Sequence, residues 1–442
     1  MRRHLIGLVL AIVSSGSLCL GQAAQPIADD WKPSTTNRPG QQYPRINSQH
    51  RAQFHITAPQ ATNVAVNVAG VASEPPTVTK GDDGVWTITT GTLDLGFHFY
   101  RVLVDGANFA DSATEVYCGG GGGGLSSAIE VPTGEDFYEL KNVPHGEVRE
   151  RQYFSKSTQA WRRIFIYTPP GYDQSASTRY PVLYLQHGGG EDERGWPVQG
   201  HVASILDNLI ADDKAKPFLV VMENGSNTGG APAGGARRGA APTGAAGTTN
   251  PAQARGGRGG PGGGGLFNSN AFERIVVDDL IPFIDANYRT IADQAHRGMA
   301  GLSMGAMQSR QITLANLDKF AYIGLFSGGT FSMDDVNNIP SFKEKVKLAF
   351  SSYGSRELGG NRGGGRGPGP QASANPAPAA GAPATAPAGA RGGRGGGDPQ
   401  ANAEALKAAG INAVFYVSPG TAHEWHTWRR SLYQFAPLLF KD

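Results

Sequence analysis

Gly301-Leu302-Ser303-Met304-Gly305 sets a serine between two glycines at the spacing of a nucleophile elbow. Such an elbow is a sharp strand-to-helix turn that presents a hydroxyl for attack on an ester or amide carbonyl. The pentapeptide alone is weak, because the chain has 63 Gly among its 442 residues. That composition yields a G-x-S-x-G by chance roughly half the time, so the neighbours decide. Residues 295–302 (AHRGMAGL) are short and partly apolar, as a buried strand feeding the turn should be. Ala306 to Leu314 carries apolar side chains near helical spacing and no Pro. The glycines have a mechanical role: the serine holds a strained backbone, and small flanks let the turn close.

Acyl transfer through a serine also needs a base, a carboxylate to orient that base and an oxyanion hole. Candidates occur in the chain order Ser, acid, His. The base is His423, in Pro419-Gly420-Thr421-Ala422-His423-Glu424-Trp425, between the last strand pattern and the last helix pattern. A loop there can swing an imidazole toward Ser303; His426 is its competitor. The acid is Glu357, just beyond the strand pattern Val346 to Phe350, with Asp398 as the rival. The oxyanion hole calls for backbone amides: Met304, directly after the nucleophile, and one from His187-Gly188-Gly189-Gly190, which ends a strand pattern at Leu185. Glycines there let the backbone approach a substrate oxygen closely.

These residues need elements to hold them. From about residue 139 to 442, strand patterns at 163–168, 180–185, 218–222 and 413–417 alternate with helix patterns at 202–213, 274–287, 401–409 and 428–439. That alternation predicts an α/β sheet covered on both faces. Residues 43–128 read differently, with short alternating strands at 52–56, 64–68, 85–88 and 97–104 separated by turn signals. They predict a small all-β sandwich, on which Trp86, Phe99 and Tyr100 are either core or a sugar-stacking face. Two Gly/Ala/Pro-rich segments with Arg-Gly-Gly repeats, 226–265 and 359–399, hold too few large apolar residues to offset the entropy of ordering and are expected to be disordered inserts.

Residues 1–23 read as an export signal: Arg2 and Arg3, an apolar run from Leu5, and small residues near Ala23. The run is too short for a stable membrane span, and Leu18 before Cys19 argues against a lipid anchor. Cleavage near Ala23 leaves Cys118 as the only cysteine, which precludes an intramolecular disulfide. A net charge of +2 is too balanced for nucleic acid as a main partner. Scattered histidines and scarce cysteines give no metal cluster, and no cofactor is expected.

Together, residues 184–190 (YLQHGGG), 282–290 (PFIDANYRT), the elbow and 423–429 (HEWHTWR) resemble the esterase D-type branch of the α/β-hydrolases. That branch includes carbohydrate esterase family 1 feruloyl and acetylxylan esterases, enterochelin esterases and mycolyl transferases. The resemblance implies a doubly wound α/β-hydrolase sheet with Ser303 as nucleophile, His423 as base, and Gly189 and Met304 as amide donors. It also makes the N-terminal segment similar to an early-set, glycogen-binding-module-like sandwich. The chain departs from the family pattern in two places: Glu357 stands where Asp is usual, and Ala306 where a second Gly is usual. The expected function is a secreted or periplasmic serine esterase acting on feruloyl or acetyl esters of plant polysaccharide such as xylan. The alternatives are an enterochelin-type siderophore esterase and a non-catalytic carbohydrate-binding protein.

Overall fold

The computed structural model describes residues 27–69, 74–120, 124–225, 269–358 and 397–441. The expected export signal and nearly all of both Gly-rich inserts lie outside them.

Eight strands form the larger sheet: β1 (Glu147–Ser155), β2 (Ala160–Thr168), β3 (Val182–Gln186), β4 (Leu219–Glu223), β5 (Arg297–Leu302), β6 (Tyr322–Phe326), β7 (Leu348–Gly354) and β8 (Ala413–Ser418). Their order is β1-β2-β4-β3-β5-β6-β7-β8. The β1–β2 and β2–β4 pairs are antiparallel; every pair from β4 to β8 is parallel. Strands β3 to β6 are buried throughout, which is why they read as continuous apolar runs rather than alternations. One face packs Trp196, Leu206, Phe326, Trp425 and Phe435; the other packs Tyr184, Phe272, Ile284 and Phe320. Helices α1 (Val202–Ala211), α2 (Met304–Ala315), α3 (Pro399–Ala408) and α4 (Trp425–Phe435) supply much of this cover.

Two strands of this sheet escape the sequence reading. The edge strand β1 is mostly exposed and charged (EVRERQYFS), so it shows little apolar signal. Strand β6 (YIGLF) is a five-residue apolar run, too short for periodicity to separate strand from helix. The pattern at 274–287 is helical, but a π-helical stretch occupies Ile275–Leu280.

Before this sheet, residues 32–131 form two facing sheets. One pairs Lys32–Pro33, Arg45–Ile46, Arg51–Thr57, Val85–Thr92 and Thr77–Lys80; the other pairs Val64–Val68, Gly96–Val104, Leu125–Val131 and Tyr117–Cys118. Alternate residues point inward, and Phe54, Val64, Ile88, Tyr100 and Ile129 make the core. Tyr100 is therefore core, its hydroxyl donating to Asp111 at 2.8 Å. Trp86 donates Nε1–H to Ala58 O and lies under Lys80, and Phe99 packs on Gly119 and Gly120. All three aromatics make contacts within the sandwich.

The sandwich meets the α/β unit through Arg429 of α4. Its guanidinium is fully buried, forks onto both Glu130 oxygens at 2.7 and 3.1 Å, and donates to Gln199 O. Arg430 pairs with Glu135, and Arg356 with Asp94. A Cβ on Gly96 would lie 2.9 Å from His426 Cβ, so the bare backbone at φ +103° lets the sandwich close onto the helix.

Candidate active site

Strand β5 ends at Leu302 and α2 begins at Met304, leaving Ser303 alone between them with φ 51° and ψ −112°. Few non-glycine residues hold such a conformation, and it persists only where the surroundings impose it. Here Ser303 N–H donates to Phe326 O at 2.8 Å, tying the turn to β6. A Cβ on Gly301 would sit 2.5 Å from Gly305 C, one on Gly305 2.5 Å from His187 O, and one on Gly328 2.3 Å from Ser303 O. Each obstacle is backbone, so glycine at these positions is a requirement of the turn. Ala306 is fully buried beneath Gly328, where its single methyl fits.

Ser303 Oγ lies 2.9 Å from His423 Nε2, and His423 Nδ1 lies 2.7 Å from Glu357 Oε1. A carboxylate only accepts, so Nδ1 carries the proton, and Nε2 presents its lone pair to the serine hydroxyl. Glu357 is held on its other oxygen: Oε2 accepts from Gly354 N at 2.7 Å and Ser327 Oγ at 2.8 Å. Ser327 Oγ in turn accepts from Trp428 Nε1 at 3.1 Å, and the Trp428 ring stands edge-on to His423 with centroids 5.1 Å apart. The imidazole is half exposed while Glu357 is largely buried, so the ring is open to solvent and the carboxylate is not.

The three side chains come from the ends of β5, β7 and β8. Their strands are parallel, so all three emerge at the carboxyl edge of the sheet. The two rivals separate cleanly. Asp398 caps α3, accepting from Gln400 N at 2.9 Å. His426 lies in the first turn of α4, 1 % exposed on its side chain, against the sandwich.

His187-Gly188-Gly189-Gly190 follows β3 beside the elbow. A Cβ on Gly188 would lie 3.7 Å from Ser303 Cβ. His187 is buried and its pKa is lowered by that burial. Gly225 N–H donates to its Nε2 at 3.2 Å, so the proton sits on Nδ1, 2.8 Å from Gly188 O. Met304 N–H belongs to the first turn of α2, whose amides lack acceptors within their own helix. Gly189 is exposed at the loop's surface.

Sequence reasoning missed the supports. Ser327, Trp428 and Gly354 brace the acid, and Glu191 and Trp425 brace the glycine loop. Ser327, Trp428 and Trp425 are made relevant by partners 30, 101 and 234 residues away, whereas Gly354 and Glu191 each bond a residue three positions away. The one local signal is position: Ser327 directly follows β6 and Glu191 directly follows Gly190.

Residues 155–352 match the family described as "Putative esterase". The chain is 38% identical over 420 residues to an endo-1,4-beta-xylanase/feruloyl esterase of Xylanibacter ruminicola, an alignment covering 93% of this chain and 48% of that protein. It is 24% identical over 242 residues to endo-1,4-beta-xylanase Y of Acetivibrio thermocellus, covering 51% of this chain and 19% of that protein. The chain thus spans about half or less of the length of these relatives. Among solved structures, enterochelin esterase from Shigella flexneri shares the fold with a TM-score of 0.53 at 14% identity, covering 88% of this chain and 91% of that one.

Proposed function

We propose that the protein is a serine carboxylic ester hydrolase that removes feruloyl or acetyl groups from plant polysaccharide such as xylan, a reading supported by the match of residues 155–352 to an esterase family. The relay from Ser303 through His423 to Glu357, with steps of 2.9 and 2.7 Å, carries the reading. His423 Nε2 takes the hydroxyl proton as Ser303 Oγ attacks the ester carbonyl. Glu357 fixes the Nδ1–H tautomer and stabilises the imidazolium that forms. Charge then develops on the carbonyl oxygen, where Met304 and Gly189 amides are the donors in this reading. The imidazolium returns its proton to the departing sugar oxygen, leaving an acyl-enzyme. Water activated by His423 hydrolyses it and frees the carboxylic acid.

The substrate class rests on the 38%-identical relative, whose name joins xylanase and feruloyl esterase. Export rests on residues 1–23. Replacing Ser303 with Ala should reduce turnover of 4-nitrophenyl acetate and methyl ferulate by at least about a thousandfold. Retained turnover of both would end the assignment. Feruloylated xylan and ferric enterobactin, run beside them, separate the polysaccharide reading from the siderophore reading.

A further inference from the structure

Glu191 is a buried carboxyl that the reaction above does not use. Its Oε2 accepts from Gly188 N at 3.0 Å, and its Oε1 accepts from Trp425 Nε1 at 2.9 Å. Gln199 also hydrogen-bonds to it, and Gln199 Nε2 in turn donates to Cys118 O in the sandwich at 3.2 Å. One side chain therefore joins three parts: the glycine loop after β3, the start of α4 two residues beyond His423, and the sandwich strand at Cys118.

The consequence falls on Gly189. The Gly188 carbonyl and the Gly189 N–H belong to one planar trans peptide and point in opposite directions. Gly188 O is held by His187 Nδ1–H at 2.8 Å and by the Glu191 backbone N–H at 3.4 Å. Gly188 N is held by the Glu191 carboxylate. With both ends of Gly188 fixed, the direction of the Gly189 N–H is fixed too, despite the conformational freedom of three successive glycines.

We propose that Glu191 is a positioning residue for the oxyanion hole, holding the Gly189 amide toward the reacting carbonyl and locking that loop to the start of α4, two residues beyond the base. The inference rests on the esterase reading. The cost of the arrangement is visible: burial pushes the Glu191 carboxyl up to about 7, against the lowering effect of its three hydrogen bonds. A carboxyl placed for stability alone gains little from so dry a site.

Glu191→Gln keeps the shape but turns an amide NH2 toward at least one of the three hydrogen-bond partners. The expected result is a fall in kcat on the order of tenfold to hundredfold with KM within about twofold. Affinity for an arylboronic acid, which forms a tetrahedral Ser303 adduct, should weaken by a similar factor. A merely structural loss lowers the amount of active enzyme and leaves the boronate Kd of the remainder unchanged. Trp425→Phe deletes one donor and keeps a ring; it should cost less, and the double variant should lose little beyond Glu191→Gln. A kcat per folded molecule within twofold of wild type in both variants, or an unchanged boronate Kd, overturns the role. Ser303→Ala distinguishes the levels: if it is dead while Glu191→Gln is fully active, the esterase reading stands and this inference falls.

Discussion

His423 and His426 are three residues apart and face different neighbours. His423 is half exposed, hydrogen-bonded on both nitrogens, and joined to a serine and a carboxylate. His426 is buried against Gly96, and neither ring nitrogen makes a hydrogen bond. Its Nε2 is 3.2 Å from Glu135 Oε2, yet burial, with Arg430 and Arg429 close by, pushes its pKa down to about 3. It is neutral at pH 7, so that contact is no ion pair. The same residue type in the same stretch is a catalytic candidate in one surrounding and a packing element in the other. Chemistry comes from partners that hold a particular proton on a particular nitrogen; packing needs only shape.

The widest gap should appear on replacing each ring. His423→Ala should lower kcat by about a thousandfold or more and leave the melting temperature nearly unchanged. His426→Ala should leave kcat within about fivefold but cost roughly 1–3 kcal/mol of stability through the cavity it opens. Equal losses of activity in the two variants would dissolve the distinction. Glu357→Gln probes the relay next. Gln can keep one acceptor but presents NH2 either to His423 Nδ1–H or to the Gly354 and Ser327 donors. A fall in kcat of about a hundredfold to ten-thousandfold is expected, with KM little changed. Activity near wild type would remove Glu357 from the acid's role.

On the packing side, Arg429→Met leaves Glu130 buried without its partner. Urea unfolding should show a loss of about 3–5 kcal/mol, partly recovered by adding Glu130→Gln. Activity per folded molecule should stay within a few-fold, in contrast to the relay variants.

The smallest effect is one of pH. A histidine whose folded pKa lies near 3 and whose unfolded value is about 6.5 is stabilising when neutral, and that contribution is lost as pH falls below about 6.5 toward 3. Buried His201 acts in the same sense, its pKa also about 3, while Glu191 and Glu223, raised by burial to about 7, act oppositely. Those three are shared by wild type and variant and cancel between them. The destabilisation caused by His426→Ala should therefore shrink between pH 7.5 and pH 5, because only the wild type must keep an imidazole there deprotonated. A difference that is flat or grows with acid would contradict the buried, neutral assignment.

Much of this was readable in the chain. The elbow glycines, the strand patterns before Ser303 and His423, and the glycine loop after Leu185 are local signals: each reports a turn or run whose geometry depends on adjacent residues. The edge strand β1 was not, because an exposed strand has no apolar period to show. Strand β6 was not, because five buried residues in a row have no period at all. Glu357 was favoured over Asp398 from the sequence because Asp398 borders a Gly-rich insert, although both are carboxylates near a strand or helix end. Folding places one 2.7 Å from His423 and spends the other on a helix cap.

The sequence by itself determined which residues could do acyl chemistry and in what order, since turn chemistry and hydrophobic patterning act over a few residues. Only the tertiary structure sets Ser303 Oγ 2.9 Å from His423 Nε2 and His423 Nδ1 2.7 Å from Glu357 Oε1, and brings Glu191, Trp425 and Ser327 against the surrounding groups. Those assignments depend on atoms within about 3 Å of one another that lie tens to hundreds of residues apart in the chain, and no local pattern encodes such a distance.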